Sequence, residues 1–442
     1  MKNFILIHLE SLSELIFRTN WQLFSNINKI MEESVYFPNY FSSATSTLMV
    51  ISDICYGGMY REKCTKLEND YRDLGNHTSL FDELVDIGYK TKGVIWPELT
   101  TYSKIVNGCI LGKNIEVIVA QSYDDFLKEI ENNIKSTSPF ALFIGNFSSH
   151  VSYRNGRGSD SYTRWKEGYK QIDDTCGKVF NFLKKADKEK DTIVVLYGDH
   201  GDDYWGHRFH DGYTHAIEPY SSLIHTPLII WDNCQKRIDT NLISSIDLKS
   251  KIGRMIKGNQ KEEHRRFIFS RNIFANQKAD YMTLSKGYAV ANGEYILLTS
   301  IRGLELYNIK MDPANVCNLL EFFDMDSAGK IMFSPKFKKN QSMHFSDFFT
   351  DREIRHLRSV YIQLRKVLLK ETENIYKMID KSIEDRDKEL NFARINRYHL
   401  YKYNKIFSNK WISKKIHQIT IRKIFTRKIN SQICLIYNRI KS

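Results

Sequence analysis

Short apolar runs that alternate with helical patterns fill the first half of this 442-residue chain, and they restrict its fold more than any other feature. Between the runs, apolar residues recur at helical spacing, as at Ile172, Val179 and Leu183. Strands that alternate with helices predict an α/β fold, a three-layer α/β/α sandwich with a mostly parallel central sheet. The predicted strands are NFILIHLE (3–10), KGVIW (92–96), IEVIVA (115–120), FALFIGNF (140–147), TIVVLYGDHG (192–201) and TPLIIW (226–231).

The pattern changes after about residue 265. Apolar and polar residues then alternate between glycine-containing turns, which predicts a small antiparallel subdomain over about 265–330. Thr350 and Glu353 form a capping-box pattern, and apolar residues follow at near-heptad spacing, so a long amphipathic helix is expected. The expected units are a main domain over 1–345, the amphipathic helix over 346–390, and a helical, basic, aromatic-rich tail over 391–442.

The excess positive charge is concentrated at the C-terminal end. Residues 391–442 contain 13 lysines and arginines and no acidic residue, while the rest of the chain holds 52 residues of each sign. A disordered, solvated tail would be poor in the aromatic residues that alternate with these charges. An anionic membrane surface is the first candidate partner. Packing on the body of the protein or on a partner subunit is the second candidate, and nucleic acid is the least favoured.

Sequence signals for export or membrane insertion are absent. No stretch reaches the roughly 18 apolar residues of a membrane span, and His8 and Glu10 interrupt the apolar start too early for a signal peptide. Seven cysteines at irregular positions, without a CxxC pair, are typical of reduced thiols. We expect a cytoplasmic protein, which the basic tail could hold on the inner face of the membrane as a peripheral protein.

The stretch VVLYGDHGD (194–202) carries the sharpest chemical pattern. An apolar strand leads directly into Asp199, His200 and Gly201, so a carboxylate and an imidazole emerge side by side. Together they suit Zn²⁺, Mn²⁺ or a similar divalent ion. The alternative is a turn in which Asp199 caps the next helix and His200 is merely exposed. Glu10 ends the first predicted strand, and ligands of open parallel sheets bind at such strand ends.

A run of hydroxyl side chains, FSSATST (41–47), precedes an apolar stretch that ends at Gly57. Ser and Thr commonly cap helices, and a plain cap is the simplest interpretation. Thr47 gains a second interpretation from Glu10, Asp199 and His200. A divalent ion held by these three residues would lower the pKa of a hydroxyl, and the resulting alkoxide could attack phosphorus or sulfur. A helix N-terminus at this point would favour an anionic substrate.

The order of ILIHLES, FSSATSTLMVISDICYGG, FSSHVSYR and YGDHGD resembles the sulfatase-like branch of the alkaline phosphatase superfamily. Within this branch, the chain looks most like phosphoethanolamine and phosphoglycerol transferases of the lipoteichoic acid synthase type. HTPLIIW, ISSIDL and LELYNIKMDPANVCNLL are similar to later family elements, so the resemblance spans about residues 3–320. It implies a catalytic domain that uses one or two divalent ions of Zn, Mn, Mg or Ca.

The resemblance also assigns roles to individual residues. Glu10, Asp199 and His200 would be metal ligands together with Thr47. Thr47 would be the nucleophile, because its ten-residue spacing to Gly57 is similar to that of the family; Thr45 and Ser46 are the alternatives. The other candidates would bind substrate or a second metal: His150, His207, His215 and His225. A solvent-facing loop position is an equal alternative for His207 and His215, and a hydrogen-bonded core position is an equal alternative for His225.

One feature of true sulfatases is missing from the sequence. Those enzymes carry Cys or Ser in a C/S-x-P-x-R motif for conversion to formylglycine, whereas TLMVI stands here. The resemblance therefore implies that a phosphoethanolamine or phosphoglycerol type group moves from a phosphoester donor, through a phospho-threonine, onto a glycan or lipid-linked acceptor. Hydrolysis of sulfuric esters or phosphodiesters is the first alternative. A non-catalytic scaffold that binds membrane or polyanion is an alternative of another class.

Overall fold

The structure is a computed structural model that describes most of the chain. The basic tail over 391–442 lies outside the described residues, so the predictions made for it have no structural counterpart. The described residues are 2–59, 77–97, 110–150, 161–203, 207, 215–233, 236–258, 264–272, 287–300, 303–325, 331–335, 349–378 and 382–384.

A large sheet of eight strands forms the centre of the described structure. Its strands are β1 (Asn3–Leu9), β2 (Ser34–Tyr36), β4 (Lys90–Trp96), β5 (Glu116–Val119), β6 (Phe140–Asn146), β7 (Thr192–Gly198), β8 (Leu228–Trp231) and β9 (Arg237–Ile238). The short strand β3 (Tyr40–Phe41) does not belong to this sheet. The eight strands lie in the order β5-β4-β6-β1-β7-β8-β2-β9. The first five in this order are parallel, whereas β8 is antiparallel to both of its neighbours. The sheet is therefore mostly parallel, as the sequence predicts.

Helices cover both faces of the large sheet, which confirms the predicted three-layer sandwich. Apolar side chains of α3, α4 and α8 pack on one face, and those of α1, α2, α5 and α6 pack on the other. The helices are α1 (Glu14–Thr19), α2 (Ser25–Met31), α3 (Thr47–Tyr56), α4 (Leu80–Asp86), α5 (Tyr123–Ile134), α6 (Ser161–Lys185), α7 (Ser221–Ile224), α8 (Leu248–Ile256) and α9 (Asp351–Met378).

The apolar run of β1 is continuous because both faces of the strand are buried. Successive side chains of a strand point to opposite faces, and Phe4 and Leu6 accordingly belong to one core while Ile5 and Ile7 belong to the other. The strand is central in the sheet, between β6 and β7. Its C-terminal end therefore lies beside the ends of two parallel neighbours.

A small antiparallel sheet follows the large sheet in the chain, and the long helix α9 packs on it. Its strands are β11 (Ile268–Asn272), β12 (Gly287–Ala291), β13 (Tyr295–Ser300) and β14 (Gly303–Asn308). The short strand β10 (Ile243–Ser244) precedes this sheet in the chain and pairs with β3, and an antiparallel pair, β15 (Phe323–Met325) and β16 (Ile331–Pro335), follows it. Helix α9 packs on β12 and β13 through buried residues such as Leu364 and Leu368. Thr350 and Glu353 form the capping box at its start, where Glu353 N donates to Thr350 Oγ1 at 3.3 Å and Thr350 N donates to Glu353 Oε2 at 2.6 Å.

Two further findings concern membrane insertion and the cysteines. None of the helices in the described ranges is both long enough and apolar enough to cross a membrane. Cys55, Cys176 and Cys317 carry free thiols.

Candidate active site

The hydroxyl-rich turn FSSATST leads directly into α3, and most of its hydroxyls fasten the turn in place. The side chains of Ser42 and Ser43 donate hydrogen bonds within the turn and to α3, respectively. Thr45 Oγ1 donates to the carbonyl oxygen of Ile217 at 3.0 Å. Ser46 stands at the N-cap of α3, but its side chain makes no capping hydrogen bond. The run of hydroxyls is therefore not explained by a plain helix cap.

Thr47 is the residue of this turn that faces the candidate metal ligands. It is the first residue of α3, its side chain is buried, and Oγ1 lies 2.9 Å from Nε2 of His200. Among the three predicted nucleophiles, this contact favours Thr47 over Thr45 and Ser46. The helix ends at Gly57, whose positive φ of 70° suits glycine and whose N–H donates to Asp53 O.

Glu10 follows β1 and lies beside the end of β7, because the register pairs Leu9 with Gly198. Its side chain is fully buried, and Oε2 accepts a hydrogen bond from Nε2 of His8 at 2.8 Å. Nδ1 of His8 lies 3.0 Å from the hydroxyl of Tyr197. Burial favours a protonated Glu10, but the hydrogen bond from His8 and the neighbouring imidazoles hold the pKa of Glu10 well below its usual range. Glu10 is therefore a fixed, ionised carboxylate.

Asp199 and His200 follow β7, and both are fully buried. Asp199 Oδ1 accepts a hydrogen bond from the N–H of Ser11 at 3.0 Å, while Oδ2 lies 3.1 Å from Nε2 of His200. Burial and the nearby carboxylate of Glu10 raise the pKa of Asp199. The next residue, Gly201, has no room for a side chain, because a Cβ would lie 1.9 Å from the carbonyl oxygen of Ser222.

The orientation of His200 shows that the donor atoms fit a divalent cation. Nδ1 of His200 lies 2.9 Å from the carbonyl oxygen of Gly201, which can only accept, so Nδ1 donates this hydrogen bond and Nε2 faces Thr47 and Asp199. Asp199 Oδ2, 3.1 Å from Nε2, is a buried oxygen without a hydrogen-bond partner among the described residues. A divalent cation bound by Nε2 and Oδ2 would satisfy both atoms. The side chains of His8, Glu10 and Asp199 also place their ligand atoms within 4.8 Å of one another.

A second cluster with metal-ligand chemistry consists of His200, Asp202 and His215. Nδ1 of His215 lies 2.9 Å from Asp202 Oδ1, and its ring lies 4.4 Å from that of His200, centroid to centroid. Burial lowers the pKa of His215, but the hydrogen bond to Asp202 and the charges of the nearby carboxylates together raise it above its ordinary value. His150 lies next to His215, at a ring distance of 5.1 Å, and burial lowers the pKa of His150 to about 4. The His150 ring is therefore neutral at pH 7.

The part of the chain that carries most of this site matches the model of a known protein family. The family model described as Sulfatase matches residues 2–256. The chain belongs to the sulfatase family. A search of curated proteins finds no match to the sequence. The predicted membership of the sulfatase-like branch of the alkaline phosphatase superfamily is thus confirmed, while the resemblance to the lipoteichoic acid synthase type remains a prediction.

Solved structures of sulfatases and related enzymes share this fold. A 2-O GAG sulfatase is 15% identical, with 72% of this chain and 87% of that chain covered and a TM-score of 0.55. A protein in the alkaline phosphatase superfamily from Vibrio parahaemolyticus is 15% identical, with 86% and 88% covered and a TM-score of 0.54. The phosphonate monoester hydrolase of Agrobacterium radiobacter is 12% identical, with 73% and 92% covered and a TM-score of 0.53. Sulfatase family members depend on metal, and the two clusters give this chain candidate metal ligands.

Two of the predicted site residues in this sulfatase-family chain make other contacts. His207 uses both ring nitrogens within the protein, with Nδ1 2.7 Å from Asp203 Oδ1 and Nε2 3.1 Å from the carbonyl oxygen of Asn315. Nε2 of His225 lies 2.7 Å from the carbonyl oxygen of Pro38, and its ring stacks on that of Phe41. Neither histidine belongs to the two clusters within the described residues. The structure thus brings together Glu10, Thr47, Asp199, His200, His150 and His215, but not His207 or His225.

Sequence reasoning missed two residues of this sulfatase-family site. His8 precedes Glu10 by two positions, and side chains two apart on a strand share a face, so this spacing was a usable signal. Asp202 follows Asp199 by three positions in GDHGD, but its role depends on His215, which lies 13 positions later in the chain. The first residue was predictable from strand periodicity, and the second was not.

We expect His8 to control metal affinity through Glu10. In His8→Phe an aromatic ring remains, but the hydrogen bond to Glu10 is lost, and changes of this kind typically weaken metal binding about 10-fold to 100-fold. Titration calorimetry with Mn²⁺ or Zn²⁺ measures the dissociation constant. His356→Phe, on α9, is a matched control that should leave it unchanged. An unchanged constant in His8→Phe would contradict this role, and complete loss of binding would identify His8 as a ligand.

Proposed function

We propose that this sulfatase-family protein is a metal-dependent phosphotransferase or hydrolase that acts on phosphoesters through a phospho-threonine intermediate. In its most specific form, a phosphoethanolamine or phosphoglycerol type group moves from a phosphoester donor onto a glycan or lipid-linked acceptor. The observation that carries the proposal is the position of Thr47, whose hydroxyl lies 2.9 Å from Nε2 of His200 within the cluster of metal ligands. A threonine at this position cannot follow the formylglycine route of Cys or Ser.

The reaction consists of two displacements at phosphorus. Thr47 Oγ forms a bond to the phosphorus of the donor, the bond from phosphorus to the donor alcohol breaks, and that alcohol leaves with a proton. An acceptor hydroxyl, or water in a hydrolase, then forms a bond to the same phosphorus and releases Thr47, which regains its proton. Both steps leave all oxidation states unchanged.

The residues around Thr47 have suitable roles for this chemistry. Glu10, Asp199, His200 and Thr47 would hold one divalent ion. Asp202 and His215 would hold a second ion, or His215 alone would donate a hydrogen bond to a phosphoryl oxygen. A bound divalent ion lowers the pKa of the nucleophile and neutralises phosphoryl charge. His150, neutral at pH 7, can donate a hydrogen bond to a phosphoryl oxygen. The N-terminus of α3, which begins at Thr47, also favours an anionic group.

Turnover of three chromogenic esters tests the proposed function. After metal analysis of the purified protein, p-nitrophenyl phosphate, bis(p-nitrophenyl) phosphate and p-nitrophenyl sulfate are compared in the presence of Mn²⁺ or Zn²⁺. The proposal predicts bound metal and turnover of a phosphoester. Turnover of the sulfate ester alone would favour a sulfuric ester hydrolase, and a metal-free, inactive protein would favour the non-catalytic scaffold.

We also propose that residues 391–442 attach the protein to the inner face of the membrane. The argument rests on the sequence, in which 13 basic residues alternate with aromatic and aliphatic ones. Flotation of the full chain with vesicles that contain phosphatidylglycerol, compared with phosphatidylcholine alone, is the test. Binding to the anionic vesicles at moderate salt supports a membrane partner, and its absence contradicts one.

A further inference from the structure

Arg271 is a fully buried cation outside the catalytic cluster. It lies on β11 of the small antiparallel sheet, yet its guanidinium reaches the element that carries Thr47. Nη1 donates to the carbonyl oxygen of Ser43 at 2.9 Å, Nη2 donates to Asp53 Oδ1 at 3.1 Å, and Nη1 also donates to Asp53 Oδ2. The small sheet therefore makes a buried ion pair with α3.

The two partners of Arg271 lie on either side of Thr47 in the chain. Ser43 precedes Thr47 in the hydroxyl-rich turn, and Asp53 follows it by nearly two turns of α3. Ser43 Oγ itself donates to Asp53 Oδ2, and Ser245 Oγ donates to Ser43 Oγ at 2.7 Å. The guanidinium thus cross-links the turn to the helix and fixes the corner at which Thr47 stands.

The backbone of β11 adds to this attachment. The N–H of Arg271 donates to the carbonyl oxygen of Ser43 at 3.0 Å, and Ser270 Oγ donates to that of Ser42. The next residue, Asn272, donates from its side chain to the carbonyl oxygen of Ala216, which directly follows His215. The end of one strand therefore holds both the turn before Thr47 and the segment that carries His215.

We propose that Arg271 is a positioning residue for Thr47, and that through it the small antiparallel sheet forms part of the active site. The proposal rests on the proposed function in one respect, the role of Thr47 as nucleophile. Misplacement of a reacting group by about 1 Å can reduce a rate by roughly 100-fold. The hydroxyl of Thr47 must lie close to both the metal ligands and the substrate, so the turn between Ser43 and α3 has to be held in a fixed position. The contacts of Arg271 with Ser43 and Asp53, called the brace below, hold it there.

A double replacement separates positioning from folding. Loss of Arg271 alone would leave Asp53 buried and unpaired, which is strongly destabilising, whereas apolar residues of similar volume in place of both partners often preserve stability. Asp53→Leu combined with Arg271→Met removes the brace without an unpaired charge. Arg265→Met is the matched control, because Arg265 pairs with Asp247 at the exposed start of the same subdomain.

Two readouts are measured, ester turnover and amide hydrogen exchange of peptides that cover residues 42–50. We expect the double variant to keep a thermal midpoint close to that of the wild type. Its kcat should fall about 100-fold with KM changed by less than about threefold. Exchange in residues 42–50 should become faster than in Arg265→Met. If kcat and exchange both match the control, Arg271 has only a structural role and the proposal is overturned.

The test still gives a result if the double variant does not fold or if the wild type has no ester activity. If the double variant does not fold, Arg271→Lys replaces it, because lysine keeps the charge but lacks the planar fork that bridges Ser43 and Asp53. Faster exchange and a lower kcat in this variant would support positioning, and wild-type values would contradict it. If the wild type turns over no ester, the proposed function fails, and amide exchange in residues 42–50 alone decides whether Arg271 braces the turn.

Discussion

Replacement of Thr47 by alanine is expected to reduce ester turnover by roughly 10⁴-fold to 10⁶-fold, the range seen when a catalytic nucleophile is removed. The fold should remain intact, because Thr47 occupies the first position of α3, where alanine is readily accommodated, and the neighbouring hydroxyls hold the turn. The loss should appear in kcat as well as in kcat/KM, since covalent chemistry is removed and substrate contacts remain. Stopped assays with the best ester measure both constants.

Two further variants show whether this loss belongs to Thr47. Thr372→Val removes a buried threonine hydroxyl from α9, where Oγ1 donates to the backbone carbonyl oxygens of Leu368 and Leu369, and should leave kcat unchanged. Ser46→Ala tests the neighbouring alternative and should have a small effect. If Thr47→Ala retains more than about a tenth of the activity, Thr47 is not the nucleophile and the covalent mechanism needs another residue.

Replacement of Asp199 by asparagine is expected to abolish the stabilisation that divalent metal gives to the protein. A ligand that binds only the folded state adds about 2.7 kcal/mol to the free energy of unfolding at a concentration of 100 times its dissociation constant. Without metal, Asp199→Asn should be at least as stable as the wild type, because it removes a buried charge next to Glu10 and the pKa of Asp199 is already raised. Denaturant unfolding with Mn²⁺ and with chelator gives both values.

Asp173→Asn is the control for this prediction. Asp173 is also a buried carboxylate, but it accepts hydrogen bonds from the N–H groups of Asn26 and Ile27 at the start of α2. Its replacement should change the stability by a similar amount with and without metal, so the response to metal persists. A metal response in Asp199→Asn equal to that of the wild type would exclude Asp199 as a ligand.

The sequence predicted the architecture well because strand length and apolar composition depend on local structure. Both faces of β1 are buried, so its run of apolar residues is continuous, and Glu10, the residue after the strand, lies at the edge of the sheet that carries the candidate site. The same logic predicts Asp199 and His200 after β7, and the structure places Asp199 beside both Glu10 and His200. TPLIIW was recognised as a strand, but its antiparallel direction in β8 depends on how the chain returns to the sheet.

The remaining parts of the site depend on contacts between distant segments. Asp53 and Arg271 are 218 positions apart, and neither belongs to a local pattern that identifies the other. The contacts of His225 are also made with residues far away in the sequence, because its ring stacks on Phe41 and its Nε2 faces the carbonyl oxygen of Pro38. Periodicity indicates which face of an element is buried, whereas these pairs are set by tertiary packing.

The central claim is a covalent phospho-enzyme on Thr47, and mass spectrometry of the acid-quenched protein tests it most directly. The metal-loaded wild type is mixed with bis(p-nitrophenyl) phosphate, quenched within the first turnovers, digested, and mapped by fragmentation of the peptide that contains residues 41–57. We expect a p-nitrophenylphosphoryl adduct on Thr47, because one of the two p-nitrophenyl esters stays on phosphorus; it should appear with the first release of p-nitrophenol and be absent from Thr47→Ala. Turnover without any adduct on this peptide, or an adduct on Thr45 or Ser46, would contradict it.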